Sequence, residues 1–574
     1  MEDLDPRTFL REMDRESFLQ DMDRRTFLFL GLGTAGSLLF LGCGPAVSSN
    51  SPTADNSPGP RPTLRLPALG GFGFPSPFTY NAGPGYAPMI LIYDTLLIED
   101  STGRFVPWLA KSFTKSSDGL TYTFSLRDNV RWHDGTPFSA ADVAFTFDYF
   151  NNQSLPPLVI AQPQNVASVK ATGPLSVVFT LDKPAVTFIS AVAGFVPIVP
   201  QHIWSPIADA TTASDKKLLV GTGPYIIQTV DPDNGGNTFV ANDNFFLGKP
   251  FAKAIQYRPE DNPLNGLKAG DVDVAETNPN GVRDDVLGAF RSDSSLGETS
   301  APSTFCFPLY WNIAQGGTLA DVRFRQACAK AINRGDIVNR LVGTNGQPGN
   351  PGFLPKTNPF HVDVEQYAYD QAGANQLLDA MGLTRGTDGM RKASDGTPLS
   401  FSLITSAPPA SHVPLVVNAL KAVGITLNVQ AADPPTIFGR FRQGAFDMAL
   451  TAFPGPTGQY LGGDPDYLRT IYSAVPQNQG FASAHGYSNP QMEGLLQQQL
   501  VAQDPAARKQ IVAQIQQIAA KDLPVLPLYY TTLFEFYKKS VFDQWYYLPG
   551  SATGQPKQAM VTGRRAGITI RPTK

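Results

Sequence analysis

From Ser411 onward the chain alternates helical and strand patterns at short intervals. Val416, Leu420 and Val423 recur at helical spacing up to Gly424, and Ile425, Leu427 and Val429 then alternate by twos. A short helical stretch follows to Gly444, and an apolar strand is predicted from Phe446 to Phe453. Strands joined by crossover helices pair in parallel, so this order predicts α/β lobes with partly parallel sheets.

The rest of the chain carries compatible signals. Leu64-Arg-Leu is strand-like, and Thr121–Arg127 and Ser176–Leu181 alternate as half-buried strands. Ser139-Ala-Ala-Asp142 is a capping box opening a helix whose apolar face is Val143, Phe147 and Phe150. Phe324, Ala327, Cys328 and Ala331 predict a helix over Asp321–Ile332, and Asn333-Arg-Gly-Asp336 caps another ending near Gly343. Asp504-Pro505 starts a helix with Ile511, Val512, Ile515, Ile518 and Ala519 on one face, and Leu523–Tyr530 reads as the closing strand.

At 574 residues the chain is too long for one ordinary core, so several domains are expected. A net charge of -4 offers no basic field for nucleic acid. Three cysteines without a Cys-x-x-Cys pair, and five scattered histidines, predict no disulfide scaffold, metal centre or cofactor. Neither Gly-x-Ser-x-Gly nor His-Glu-x-x-His occurs, which argues against a cleft hydrolase and for a chain that is not an enzyme.

The amino terminus is an address. Thr26–Leu41 is an uncharged apolar run, too short to span a bilayer comfortably, preceded by Arg24-Arg25 and followed by Gly42-Cys43. It resembles a twin-arginine export signal ending in a lipobox, with Cys43 the lipidated residue and Phe40 where the lipobox usually has Leu. Residues 1–42 are thus expected to be a signal peptide. Upstream, Asp5-Pro-Arg-Thr-Phe-Leu, Asp14-Arg-Glu-Ser-Phe-Leu and Asp23-Arg-Arg-Thr-Phe-Leu repeat, and residues 1–25 carry eight acids, an unusual n-region. Translation is therefore expected to start at Met22 rather than Met1. Residues 43–61, rich in Ser, Pro, Gly and Asn, read as a flexible tether spanning about 20 to 25 Å.

Leu120-Thr-Tyr-Thr-Phe-Ser-Leu-Arg-Asp-Asn-Val-Arg-Trp-His-Asp-Gly-Thr-Pro-Phe-Ser-Ala-Ala-Asp-Val143 resembles the signature of family 5 extracellular solute-binding proteins of ABC importers, the peptide and nickel group. Four segments agree in order: Tyr93-Asp-Thr-Leu96, Gly221-Thr-Gly-Pro-Tyr225, Asp321–Ala327 with Ala331–Arg334, and Gly463-Asp-Pro-Asp466. The resemblance implies an α/β, two-lobed periplasmic-binding-protein type II fold with an extra inserted domain, three structural domains in all. Carried over, the discontinuous domain is 62–92, 222–305 and 525–574, the inserted one 93–221, and the second lobe 306–524. It further implies a monomeric receptor at the periplasmic or outer face of the cell membrane, held by its lipid. Such a receptor passes a small solute, a peptide first, to permease subunits and their ATPase. A carbohydrate, opine or nickel-chelate receptor is the alternative, and a ligand sensor shares the same sequence signals.

Within the signature, Arg127, Asp134, Gly135 and Thr136 read as turn-forming scaffold, His133 as a solvated turn histidine and Trp132 as packing under the loop. Pocket candidates come from aromatic and polar residues in loops expected to border the cleft: Phe78, Tyr80, Asn81, Tyr86, Trp311, Asn312, Phe453, Tyr460, Leu461, Asp464, Asp466 and Tyr467. Peptide-binding relatives often place an acid three residues before Asp-Pro-Asp, where Leu461 stands here. The ammonium anchor is thus expected to be missing unless Asp464 or Asp466 replaces it. Cys306 and Cys328 are expected to be two free buried thiols, a pairing between them in an oxidising compartment being the alternative.

Overall fold

In the computed structural model the first strand, Thr63–Ala68, pairs in parallel with Ala254–Pro259. The residues described are 61–68, 73–80, 85–99, 104–153, 165–250, 252–278, 280–406, 411–451, 464–474 and 485–541. Thr238–Ala241 and Tyr225–Thr229 complete this four-stranded sheet, so the intervening chain is an excursion from it.

The excursion builds a second, antiparallel sheet in the order Ala110–Lys115, Thr121–Leu126, Ser176–Leu181, Val166–Gly173. The alternation read from sequence is the burial pattern observed: Tyr122, Phe124 and Leu126 face inward with Val177, Phe179 and Leu181. Helix Ala140–Asn151 lies on them, Phe147 meeting Phe179 edge-on at 4.9 Å. Its capping box is present, the Ser139 amide donating to the Asp142 carboxylate at 2.9 Å.

The third sheet has seven strands and is mixed. Ser400–Thr405 pairs in parallel with both Thr426–Ala431 and Met448–Leu450, joined by helices Val413–Ala422 and Pro434–Arg442, as the alternation predicts. The last strand is shorter than Phe446–Phe453: Phe446 lies before it, and residues 452 and 453 lie outside the described residues. Helices Val322–Ala331, Arg334–Leu341 and Pro505–Asp522 start at the caps Asp321, Asn333 and Asp504, each accepting from a backbone amide of the first turn.

Two strands organise this sheet. Leu296–Trp311 and Val525–Lys538 run antiparallel from Leu296 opposite Lys538 to Tyr310 opposite Val525. The closing strand therefore continues eight residues beyond Tyr530. At one end Leu296, Phe534 and Phe536 pack with Leu267, Leu287 and Phe290. At the other, Phe307, Leu309 and Trp311 enter one core, while Cys306 and Tyr310 enter the core on the opposite face. Between these ends the pairing slips twice, at Pro302/Cys306 and Cys306/Pro308. Among the described residues, no helix is long and apolar enough to cross a membrane.

Candidate functional site

The signature segments meet one another rather than open space. Asp94 is fully buried and accepts from the Trp108 indole and the Thr222 hydroxyl, each at 2.6 Å. His133 is not a solvated turn residue. Its Nε2 donates to the Gly223 carbonyl at 2.9 Å, its Nδ1 accepts the Gly221 amide at 3.3 Å, and its own amide donates to the Gly221 carbonyl at 2.8 Å. A Cβ at Gly221 or Gly223 would sit 1.8 Å from the Ile92 carbonyl oxygen or 2.3 Å from that of Leu91. Only glycine lets these strands of chain touch.

The turn itself is scaffold, as read. Gly135 takes a φ of 90°, and the Asp134 carboxylate accepts the Thr136 amide at 2.9 Å and pairs with His202 at 2.7 Å. Arg127 donates to the Trp108 carbonyl at 2.5 Å and lies 5.7 Å over the Phe246 ring. Trp132 is buried edge-on against Phe138.

The pocket candidates divide. Phe78 is core: it packs on Phe150 and Trp204 at 4.6 and 4.7 Å. Burying such a ring contributes roughly 1.5–3 kcal/mol, enough to explain it without a ligand. Tyr80 is buried beside Tyr86, whose half-exposed ring stacks on Phe195 at 4.9 Å and 17°. Trp311 is wholly buried with Cys328 in one core, and Asn312 Nδ2 donates to the Gly444 and Phe446 carbonyls at 2.9 and 2.8 Å, while its Oδ1 is buried without a hydrogen-bond partner among the described residues. Tyr467 is half-buried, its ring 5.4 Å from Phe353 and its hydroxyl beside Cys306. Both cysteines are free, and burial pushes their thiols far up. Asn81, Phe453, Tyr460 and Leu461 lie outside the described residues, as do Arg24, Arg25 and Cys43.

Neither aspartate of Asp464-Pro-Asp466 is available as an ammonium anchor. Asp464 takes Arg508 through both oxygens at 2.5 and 2.8 Å. Asp466 takes Arg469 the same way at 2.8 and 2.9 Å, and Gln499 donates to it at 2.6 Å. Burial pushes the Asp464 carboxyl up from its ordinary value, and the Arg508 guanidinium pulls it back. Arg469, Gln499 and Arg508 escaped the sequence reading because nothing in a one-dimensional pattern pairs positions 44 residues apart, the separation of Asp464 from Arg508. Phe195 likewise gave no signal beyond an apolar run. Among the described residues, no group of three or more His, Cys, Asp or Glu side chains has the placement to hold a metal ion.

Residues 104–479 match the family described as bacterial extracellular solute-binding proteins, family 5 Middle. Protein XP55 of Streptomyces lividans is 27% identical over 83% of this chain and 85% of its own length. The dipeptide-binding protein of Escherichia coli (strain K12) is 26% identical over 81% of this chain and 89% of its own. The crystal structure of NikZ from Campylobacter jejuni in complex with Ni(L-His) superposes at a TM-score of 0.71, with 25% identity over 84% of this chain and 94% of that one.

Proposed function

This chain belongs to the family 5 bacterial extracellular solute-binding proteins, and from that premise we propose that it is the lipid-anchored receptor of an ABC importer. It captures a small solute, a peptide in the first instance, in a cleft between two lobes and delivers it to the permease. Its fold is the two-lobed α/β type of periplasmic binding proteins, and it acts by binding, not by catalysis. In this reading residues 62–92, 222–305 and 525–574 form the discontinuous domain, 93–221 the inserted one and 306–524 the second lobe. Cys43 carries the lipid, and Arg24-Arg25 direct export.

The observation that carries the reading is the pair Leu296–Trp311 and Val525–Lys538. These strands leave one core, lose register between Pro302 and Pro308, and enter two others. A two-strand connection broken in its middle bends more easily than the cores it joins, which supports hinge closure. A solute touching both lobes only when they are shut favours the shut state by its differential affinity.

One observation favours a second reading, an uncharged solute such as a carbohydrate, over the opine and nickel-chelate options. Both carboxylates of Asp464-Pro-Asp466 are already matched by internal arginines. In addition, residues 452–463, which hold the pocket candidates Phe453, Tyr460 and Leu461, contain no Asp, Glu, Lys or Arg. Native mass spectrometry of the mature chain purified from rich medium tests both. A ladder of peptide masses upholds the peptide reading, and an oligosaccharide replaces it with the second. Radiolabelled palmitate that still enters a Cys43→Ser chain sinks the anchor.

A further inference from the structure

Two parts of the chain with separate cores touch at the end of helix Pro490–Val501. The Val186 amide, in the turn before the π-helix Phe188–Ala193, donates to the Leu500 carbonyl at 2.9 Å. Lys115, at the turn between Ala110–Lys115 and Thr121–Leu126, donates to the Gln503 side chain. Ala185, next to Val186, belongs to the core of Val177, Phe179 and Phe188, whereas the helix contributes Met492, Leu495 and Leu496 to the core around Tyr310. The last four carbonyls of a helix have no partner within it. Here the Leu500 carbonyl finds one in the other lobe, and a lysine at this end also suits the helix dipole.

One residue earlier, Gln499 points inward and is fully buried. Its Nε2 donates to Asp466 at 2.6 Å, and its Oε1 accepts from Arg508 Nε at 3.2 Å and Nη2 at 2.8 Å. It is the neutral side chain that joins the Asp464–Arg508 pair to the Asp466–Arg469 pair. All its bonds are to charged groups, the stronger class, so the last helical turn is held firmly in place.

We propose that Gln499 is a positioning residue that couples the Asp464-Pro-Asp466 corner to lobe closure. By fixing the last turn of its helix it aims the Leu500 carbonyl at the Val186 amide. Displacing the corner releases the contact, and forming the contact holds the corner. The proposal rests on the two-lobe part of the reading above and not on the identity of the solute.

Hydrogen exchange of the mature chain, with no solute added, tests it. In Gln499→Met, which keeps the shape and removes all three side-chain hydrogen bonds, the Val186 amide is expected to exchange about 5- to 10-fold faster, the effect of weakening the single Val186–Leu500 hydrogen bond. The amides of Thr121–Leu126 and Ser176–Leu181 are expected to keep their rates. A purely local role for Gln499 would speed exchange only within 464–469 and 495–508, and that result overturns the proposal. An unprotected Val186 amide in the parent chain overturns it too. Should Gln499→Met not fold, the exposed pair Lys115→Ala with Gln503→Ala releases the contact from outside. It is expected to speed exchange at both Val186 and Asp466, and unchanged rates at either refute the coupling. A chain without two lobes would instead show 176–193 and 490–508 opening as one cooperative unit in every variant.

Discussion

The Thr222 hydroxyl donates to the Asp94 carboxylate at 2.6 Å across 128 residues of chain. Each belongs to a different signature segment, and the Trp108 indole holds the same carboxylate. Asp94 has no exposed surface, so a lost donor is not replaced by water. Thr222→Val keeps the shape and removes the hydroxyl. It is expected to cost about 1.5–3 kcal/mol, the range for a buried bond to a charged group. Urea unfolding with an unchanged m-value checks it, and a midpoint identical to the parent's contradicts it.

Gly221→Ala and Gly223→Ala are expected to be far worse than their size suggests. The new Cβ would meet main-chain atoms of Ile92 and Leu91, which no rotamer change can clear. A loss of about 3 kcal/mol or more is expected for each, with thermal melting as the measurement. Gly135→Ala is the contrast: its Cβ meets nothing within 4 Å, and only the φ of 90° opposes it. It is expected to cost roughly 1–2 kcal/mol.

These two cases show where sequence reasoning stopped. The half-buried strand Thr121–Leu126 and the helix opened by Ser139 were legible because one face of each is wet and one dry, which writes a period into the sequence. Strand Leu296–Trp311 was not, since Gly297, Pro302 and Pro308 interrupt its pattern and it is irregular just where the prolines fall. Met448–Leu450 is buried on both faces, so no alternation marks it, and Asp447 and Thr451, both inside the expected strand, did not show where it starts and ends. At the candidate site, Phe78 and Tyr86 look alike on paper, each a ring beside Gly and Pro. One packs into a core and the other keeps a partly open face, a difference made by Phe150 and Trp204, which lie far along the chain. His133 was misread for the same reason: its partners, Gly221 and Gly223, come from a distant segment.

Acid is expected to destabilise this protein through two histidines. Burial pushes His412 down to about 3 from 6.5. His485 falls to about 3 from burial first and the nearby Arg325 second. Their folded values are depressed, so the neutral rings stabilise the fold fully above the unfolded value of 6.5, and that stability is lost as pH falls from there towards 3. At pH 5 each is expected to cost roughly 2 kcal/mol, following 1.36 kcal/mol per unit. Among the described residues, neither ring nitrogen of His485 has a hydrogen-bond partner, so His485→Phe is expected to remove one proton from the slope of stability against pH between 6 and 4 without lowering stability at pH 7.5. Denaturant unfolding at a series of pH values measures both, and an unchanged slope in the variant excludes His485 as a source.

Arg508 and Asp464 allow the sharpest separation of scaffold from binding. The guanidinium grips both carboxylate oxygens, its side chain 9% exposed and that of Asp464 17%. Removing one partner strands the other charge where water reaches it poorly, so Arg508→Met is expected to cost about 3–5 kcal/mol. Without its counterion Asp464 would rise further from its ordinary value, since burial is then opposed only by the bond from the Asp466 amide. Adding Asp464→Asn to Arg508→Met removes the stranded charge and is expected to restore much of the loss, because the carboxamide oxygen can still accept the Asp466 amide that the Asp464 carboxylate takes at 2.8 Å. A double-mutant cycle measures the coupling. If the corner is scaffold, the doubly substituted chain binds the co-purifying solute with nearly parental affinity. If Asp464 instead grips the solute's ammonium group, stability returns but binding does not, and the placement of both carboxylates in an internal, charge-neutral network would have to be abandoned.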